Sequence, residues 1–342
     1  MIDEHEELTD KSVAVSVIVP FYNAADYLEE CINSVLSQDV EAVVVLLLID
    51  DCSTDGGDRI AERIFAGAGA DRLCVLVRQP RNAGTSTARN TGVEMSRGRY
   101  VFFLDADDKL LPGALRAMLR AAEAHQADMV MGDVECRTGK YGDYFHPRCL
   151  GVLEGEESFA AQMRHDVYAT VWNRLIRREY LENPPLRFEA GIYHEDELYC
   201  FRLHARFGRT VVIPNTTYYY RTEVPGSRDT VYTFQHVIDS FIVAKGEVVC
   251  ASKNHLSERG DVVRHITMLL QTTLDYKLRI SKSGWRQVWY AAGRIVPLLE
   301  PDLLGLMLRA PQPIVRRVGK LCRMAPTWLR RPVLWACFMC LK

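Results

Sequence analysis

The sequence lacks any apolar run of the ~20 residues needed to span a bilayer. Its start, Met1 to Asp10, is acidic and polar. It has neither the basic n-region nor the apolar stretch of a secretory leader, so a cytoplasmic chain is expected. Several chemistries are also missing their signatures. There is no Walker phosphate loop, no G-x-G-x-x-G and no H-E-x-x-H. Of ten cysteines, only Cys337 and Cys340 are spaced C-x-x-C, and they have no partner pair, which argues against a zinc ribbon. Scattered thiols in apolar runs read as reduced core residues of a reducing compartment. Net charge is nearly absent at −2. It is unevenly spread, because eight Lys/Arg and no Asp/Glu lie from Leu303 onward, leaving −10 on residues 1–302. The basic residues form no base-reading motif, so no nucleic-acid partner is expected.

What is present is a globular composition, 48% hydrophobic and 25% charged over 342 residues. Apolar runs at Val13–Val19, Val43–Ile49, Leu73–Val77, Tyr100–Leu104 and Asp128–Met131 read as buried strands. Between them, 3.6-residue spacing predicts helices near 25–37, 58–65, 86–95 and 112–125. Alternating strands and helices predict an α/β fold with a mostly parallel sheet flanked by helices. In such sheets ligands bind beyond the carboxyl ends of the strands. The polar clusters Pro20–Asn23, Asp50–Asp55, Asn82–Asn90 and Asp105–Asp108 fall at those ends, which predicts one shared site. Further on, 133–148 reads as a hairpin or loop, Ala160–Arg178 as helix, and Arg209–Ile213 and Thr217–Arg221 as two strands. From Thr233 the pattern is helical.

Each cluster has a plain and a chemical reading. The carboxylates of Asp105, Asp107 and Asp108 would repel one another, and a hard divalent cation relieves the repulsion while taking phosphate oxygens as further ligands. The plain alternative is a solvated turn with Asp108 capping the next helix. Asp50–Asp55 offers acceptors to a base or ribose, or simply helix caps. Tyr22 can stack on a planar base. The stretch Arg81–Asn90, with Gly84 and Arg89, places hydroxyls and arginines at a helix start that suits phosphate. His194-Glu-Asp-Glu197 is a candidate general base or a solvated acidic turn.

Together, Val15–Asn23, Ile49–Asp55, Asn82–Gly92, Gly98–Asp108, Trp172-Asn-Arg-Leu175, Glu195-Asp196 and Tyr218-Tyr-Tyr-Arg221 resemble the family 2 glycosyltransferases. The resemblance covers about residues 13–228. It implies the GT-A fold over 13–232, after a flexible start at 1–12, with a helical extension over 233–342. It further implies an inverting, metal-dependent transferase of hexosyl or N-acetylhexosaminyl type. Such an enzyme moves sugar from a nucleotide-sugar, UDP-sugar before others, to a glycan or lipid-linked saccharide. The setting implied is cell-surface polysaccharide synthesis: capsule, exopolysaccharide or O-antigen. By the same resemblance, Pro20, Tyr22, Asp51, Gly84, Arg89 and Asp105 would bind the nucleotide. Asp107, with Asp105, would hold Mn2+ or Mg2+ in a D-x-D motif. Asp196 would be the base, with Glu195 beside it, and Trp172 and Arg221 would lie near acceptor or diphosphate. Glu223 stands where relatives often carry His, which puts a third metal ligand there in doubt.

Two alternatives share the fold or its ligands: a catalytically silent sugar-nucleotide-binding or scaffold protein, and a nucleotidyltransferase. The second normally needs a glycine-rich basic loop, which Pro20–Asn23 is not. In the tail, Ile314, Val315, Val318, Leu321 and Cys322 share one helix face, and Arg316, Arg317, Lys320 and Arg323 the other. Such a helix either lies on an anionic membrane, at the inner face of the cell membrane, or docks on the acidic body.

Overall fold

The computed structural model describes residues 13–68, 73–136, 145–222, 233–279, 285–299 and 301–340. It divides into two compact units: Met1–Gly191 with Arg206–Val224, and Ile192–Ala205 with Pro225–Lys342. Glu223 and residues 137–144 lie outside the described residues.

Among the described residues, the first unit holds a nine-stranded sheet. Its strands are β1 (Val13–Phe21), β2 (Val43–Asp50), β3 (Leu73–Arg78), β4 (Tyr100–Phe103), β5 (Lys109–Leu110), β6 (Met129–Cys136), β7 (Gly151–Leu153), β8 (Arg174–Arg177) and β9 (Thr210–Tyr220). The order is β3-β2-β1-β4-β8-β6-β9-β5, with β7 also paired to β9. The β3-β2-β1-β4 half is wholly parallel. β8 enters antiparallel between β4 and β6, so the other half is mixed. The helices are α1 (Ala25–Leu36), α2 (Gly57–Gly67), α3 (Thr85–Met95), α4 (Ala114–His125), α5 (Glu156–Met163) and α6 (Arg178–Glu182).

Every residue of β1 is buried, including Ser16, because the strand lies in the interior of the sheet order. Burying the Ser16 hydroxyl requires partners. It accepts the N–H groups of Arg97 (3.1 Å) and Gly98 (2.9 Å), which fixes the turn into β4. Only glycine fits at position 98, since a Cβ there would stand 2.5 Å from the Ser16 nitrogen.

Two expectations beyond residue 150 are corrected. The segment 160–178 is not one helix. α5 ends at Met163, His165 and Asn173 take left-handed backbone (φ 58° and 57°), and the chain leaves as β8. Left-handed residues interrupt a helix whatever its apolar spacing. The two short strands near 209–221 are one strand, β9, with register shifts in its pairing to β6 that accommodate Pro214.

The second unit is helical: α7 (Glu195–His204), α8 (Phe234–Lys253), α9 (Gly260–Arg279), α10 (Trp285–Ile295), α11 (Pro301–Arg309), α12 (Pro313–Met324) and α13 (Arg330–Cys340). α8 buries Val237, Ile238, Phe241, Val243 and Val248. A reciprocal capping box starts it, with Thr233 and His236 exchanging bonds. α12 turns Val315, Val318, Gly319 and Cys322 inward while Arg316, Arg317, Lys320 and Arg323 stay exposed. Among the described residues, no helix is long and apolar enough to cross a membrane.

Candidate active site

The four polar clusters at the strand ends of the first unit are bonded to one another. Asn23, in left-handed backbone (φ 50°), follows β1. Its Oδ1 accepts the Thr54 N–H (2.8 Å), and its own N–H donates to Ser53 Oγ (3.1 Å). Asp55 accepts the Ala25 N–H (2.8 Å) and the Gly57 N–H (3.0 Å), tying the starts of α1 and α2 together. These bonds hold the loop after β1 against the loop after β2. Tyr22 projects from the first loop and is 48% exposed, as a stacking platform for a planar ligand needs. Pro20 is buried within β1.

Asp51 is buried, and both carboxylate oxygens face the third cluster. Oδ1 accepts the Ala83 N–H (2.8 Å) and Oδ2 the Gly84 N–H (2.7 Å). Gly84 has φ 88°, a conformation glycine adopts without steric cost, and stands at the start of α3. Asp51 therefore shapes the turn that presents the positive end of α3. On that helix Arg89 is 3% exposed, and it donates to Asp105 Oδ1 at 2.8 Å. The guanidinium also lies over the Phe188 ring, 5.3 Å from its centroid. Asn90 fixes Phe188 by bonding both its N–H and its C=O. Arg89 thus joins the third cluster to the fourth.

The fourth cluster separates its carboxylates into different environments. Asp108 is buried and accepts from the Tyr218 hydroxyl (2.7 Å) and the Arg221 N–H (2.8 Å). Burial pushes its carboxyl well above the usual range. The charges of Asp107 and Asp105 push the same way, and its two hydrogen bonds pull only part of the way back. Asp108 does not cap α4, which starts after Gly113. It latches the acidic turn to β9 instead. The Tyr218 oxygen also accepts the Asp105 N–H (3.2 Å). Arg221 Nε donates to the Asp107 carbonyl (2.8 Å), and its guanidinium pairs with Glu30 on α1. Glu30 also pairs with Lys109, and these cations draw its carboxyl below the ordinary value. Beneath the turn, Cys31 is buried, and its thiol is pushed well upward by burial and by the three aspartates.

Trp172 is buried rather than exposed at the rim. Its ring stacks on Tyr218 (4.7 Å, 14°) and Tyr220 (5.4 Å, 14°). It bears on the site through Tyr218, which holds Asp108. The neighbouring Asn173 bridges β6 and β9, donating to the Gly132 carbonyl and accepting from Thr217 (2.7 Å). The fully buried Arg174 donates to the carbonyls of Tyr168 and Thr170.

Glu195, Asp196 and Glu197 form the first turn of α7, in the second unit. Glu195 is buried and Asp196 half-buried. The positive end of α7 favours carboxylates at this place. The approach is fixed by Asp239 of α8, which accepts the Tyr193 N–H (3.0 Å), and by Tyr193 stacked on His236 at 3.8 Å.

Sequence reasoning missed Glu30, the Tyr218–Asp108 bond and the Asn23–Thr54 bridge. Tyr218 and Asp108 both stood in singled-out motifs, so the signal was present as two halves. Glu30 had none.

The profile described as Glycosyl transferase family 2 matches residues 16–183. The uncharacterized glycosyltransferase EpsJ of Bacillus subtilis is 30% identical over 72% of this chain and 71% of its own length. The succinoglycan biosynthesis protein ExoO of Rhizobium meliloti is 31% identical over 69% of this chain and 68% of its own. Among solved structures, Staphylococcus aureus TarS 1–349 in complex with UDP-GlcNAc superposes with a TM-score of 0.72 at 19% identity, covering 94% of this chain and 90% of that one. That likeness shows the GT-A fold, and the sequence relatives show the rest: the chain belongs to glycosyl transferase family 2.

Proposed function

We propose that this glycosyltransferase moves a sugar from a nucleotide-sugar, UDP-linked before others, to a hydroxyl of a glycan or lipid-linked saccharide, with inversion, during cell-surface polysaccharide synthesis. The observation that carries this is the hydrogen-bonded rim of the first unit, where Asp51, Gly84, Arg89 and Asp105 are linked in series. The UDP-GlcNAc held by TarS supports the donor class, and ExoO's part in succinoglycan synthesis supports the setting.

The acidic turn fits a divalent cation. Its carboxylates are hard oxygen donors, and the charges of Asp107 and Asp105 add to burial in driving the Asp108 carboxyl upward. Asp107, with Asp105, would hold Mn2+ or Mg2+. Bound there, the ion would neutralise charge on a departing diphosphate. The protein's own groups do the remaining work. Tyr22 offers a face to the base, and Asp51 and Asp105 set the edge of the nucleotide pocket. The start of α3, turned by Gly84, favours phosphate. Asp196 takes the proton of the acceptor hydroxyl as that oxygen attacks the anomeric carbon opposite the diphosphate. Glu195 stands beside it on the same helical turn. Positioning and charge stabilisation supply most of the acceleration. The exposed basic face of α12 suits an anionic membrane surface, where a lipid-linked acceptor would be held at the cytoplasmic side.

The test is a panel of nucleotide-sugars assayed by mass spectrometry with and without Mn2+ or Mg2+. Metal-dependent release of nucleotide from one donor is expected. Asp107→Ala should remove that metal dependence. Asp196→Asn should lower kcat by about 10²–10⁴-fold, the typical worth of a general base, with nucleotide binding by calorimetry unchanged. Normal transfer by Asp196→Asn sinks the base assignment. If the native chain binds a nucleotide-sugar yet turns over none, with any acceptor fraction and metal, it is a silent binding protein.

A further inference from the structure

The second unit contains a cluster that the glycosyl-transfer reading does not use. Glu197 lies in the first turn of α7, Glu247 on α8 and His265 on α9. One ligand atom from each residue lies within 4.8 Å of the other two. Glu247 is wholly buried and His265 nearly so. Their contact is long, 3.4 Å between His265 Nε2 and Glu247 Oε1. Among the described residues, Oε2 of Glu247 has no hydrogen-bond partner. A carboxylate with no exposure, one long contact and an orphan oxygen is a costly thing to bury. A second carboxylate beside it adds repulsion.

We propose that Glu197, Glu247 and His265 form a transition-metal site that clamps α7 to α8 and α9, with Zn2+ the ion the donors favour. An imidazole nitrogen with two carboxylates suits Zn2+ and its neighbours, whereas Mg2+ and Ca2+ prefer all-oxygen shells of six or more ligands. Ligand atoms about 2.1 Å from a tetrahedral ion stand roughly 3.4 Å apart. Closing from the observed spread takes no more than about 1.4 Å, within the reach of side-chain rotation. Three protein ligands leave one position for water. The ion would neutralise Glu247 and occupy the orphan oxygen. It would also fix the turn of α7 next to Asp196, making the cluster a positioning device for that residue. The competing account is a protonated His265 paired with Glu247. The imidazole is indeed drawn upward by the Glu247 charge, against the effect of its own burial.

The experiment uses the full chain carrying Asp107→Ala, which disables the D-x-D site, so that failure here is separate from failure of the glycosyl-transfer reading. The protein is stripped with chelator and dialysed against Zn2+, with Co2+ as a coloured probe. One equivalent of bound metal, visible d–d absorption of four-coordinate Co2+ and a raised Tm with Zn2+ are expected. Added to this background, Glu247→Gln and His265→Gln should each abolish that equivalent. Glu197→Gln, at the least buried of the three positions, should weaken binding at least tenfold. Absence of a saturable site in the Asp107→Ala chain overturns the proposal in favour of the ion pair. So does unchanged affinity in Glu197→Gln, or bound metal that survives His265→Gln.

Discussion

The acidic turn after β4 illustrates how residues of one type acquire different tasks from their surroundings. Asp105 faces Arg89, Asp108 is buried under Tyr218, and Asp107 has its carbonyl held by Arg221. Tyr218 is central because its oxygen both accepts from Asp105 and donates to Asp108. Tyr218→Phe keeps the ring on Trp172 but leaves one oxygen of a buried carboxyl without its donor. A loss of about 1–3 kcal/mol is expected, the usual cost of an unsatisfied buried polar group. Denaturant unfolding would measure it, and the same variant should bind nucleotide-sugar more weakly in the presence of metal. Unchanged stability would mean that water replaces the hydroxyl and that the latch is not rigid. The sequence left Asp108 between a cation-binding cluster and a helix cap, and it is neither a cap nor exposed. Its partner lies 110 positions away, and no local pattern carries that distance.

At the scale of elements, the strands of the parallel half were readable because central strands of such sheets are apolar on both faces and stop at polar loops. β8 was not readable. Val167, Val171 and Leu175 are four apart, which mimics a helix stripe and outweighs the weak signal of His165 and Asn173, residue types that tolerate left-handed backbone. What placed β8 was tertiary: a gap between β4 and β6 that four residues fill. Helix α3 illustrates how close packing serves the site. A Cβ at Gly92 would stand 2.3 Å from Ile18 Cγ2 on β1. Gly92→Val should therefore push α3 off the sheet, at a cost of about 1–3 kcal/mol for overpacking. It should also displace Arg89 from Asp105, lowering donor turnover more than its stability loss explains. Ile18→Ala made in the same chain should recover part of both. Additive losses in that double mutant would rule out steric contact as the cause.

For the whole molecule, the open question from sequence was what the basic tail does. Both of its readings used the apolar face of α12, and that face is already spent. Val315, Val318 and Cys322 are buried in the helical unit, and a Cβ at Gly319 would lie 2.9 Å from the Met307 Cβ of α11. Truncation after residue 310 would therefore remove part of a core, and a destabilised chain is its expected outcome whether or not membranes are involved. The exposed face is a separate matter. Arg316, Arg317, Lys320 and Arg323 lie there with Leu321 and the 73%-exposed Met324. A polybasic surface gains about 1 kcal/mol per cation near an anionic leaflet, so four of them together can shift partitioning by roughly 10²–10³-fold. Reversing all four to Glu leaves the buried face intact, so Tm should be nearly unchanged. Sedimentation with anionic vesicles should then fall by at least that factor, since repulsion replaces attraction, while neutral vesicles bind neither form. Because the attraction is screened within about 8 Å at physiological salt, binding of the native chain should also weaken as salt rises. If the reversed chain sediments as before, the contact with the membrane is made by some other surface, and the charge asymmetry of the tail serves only solubility.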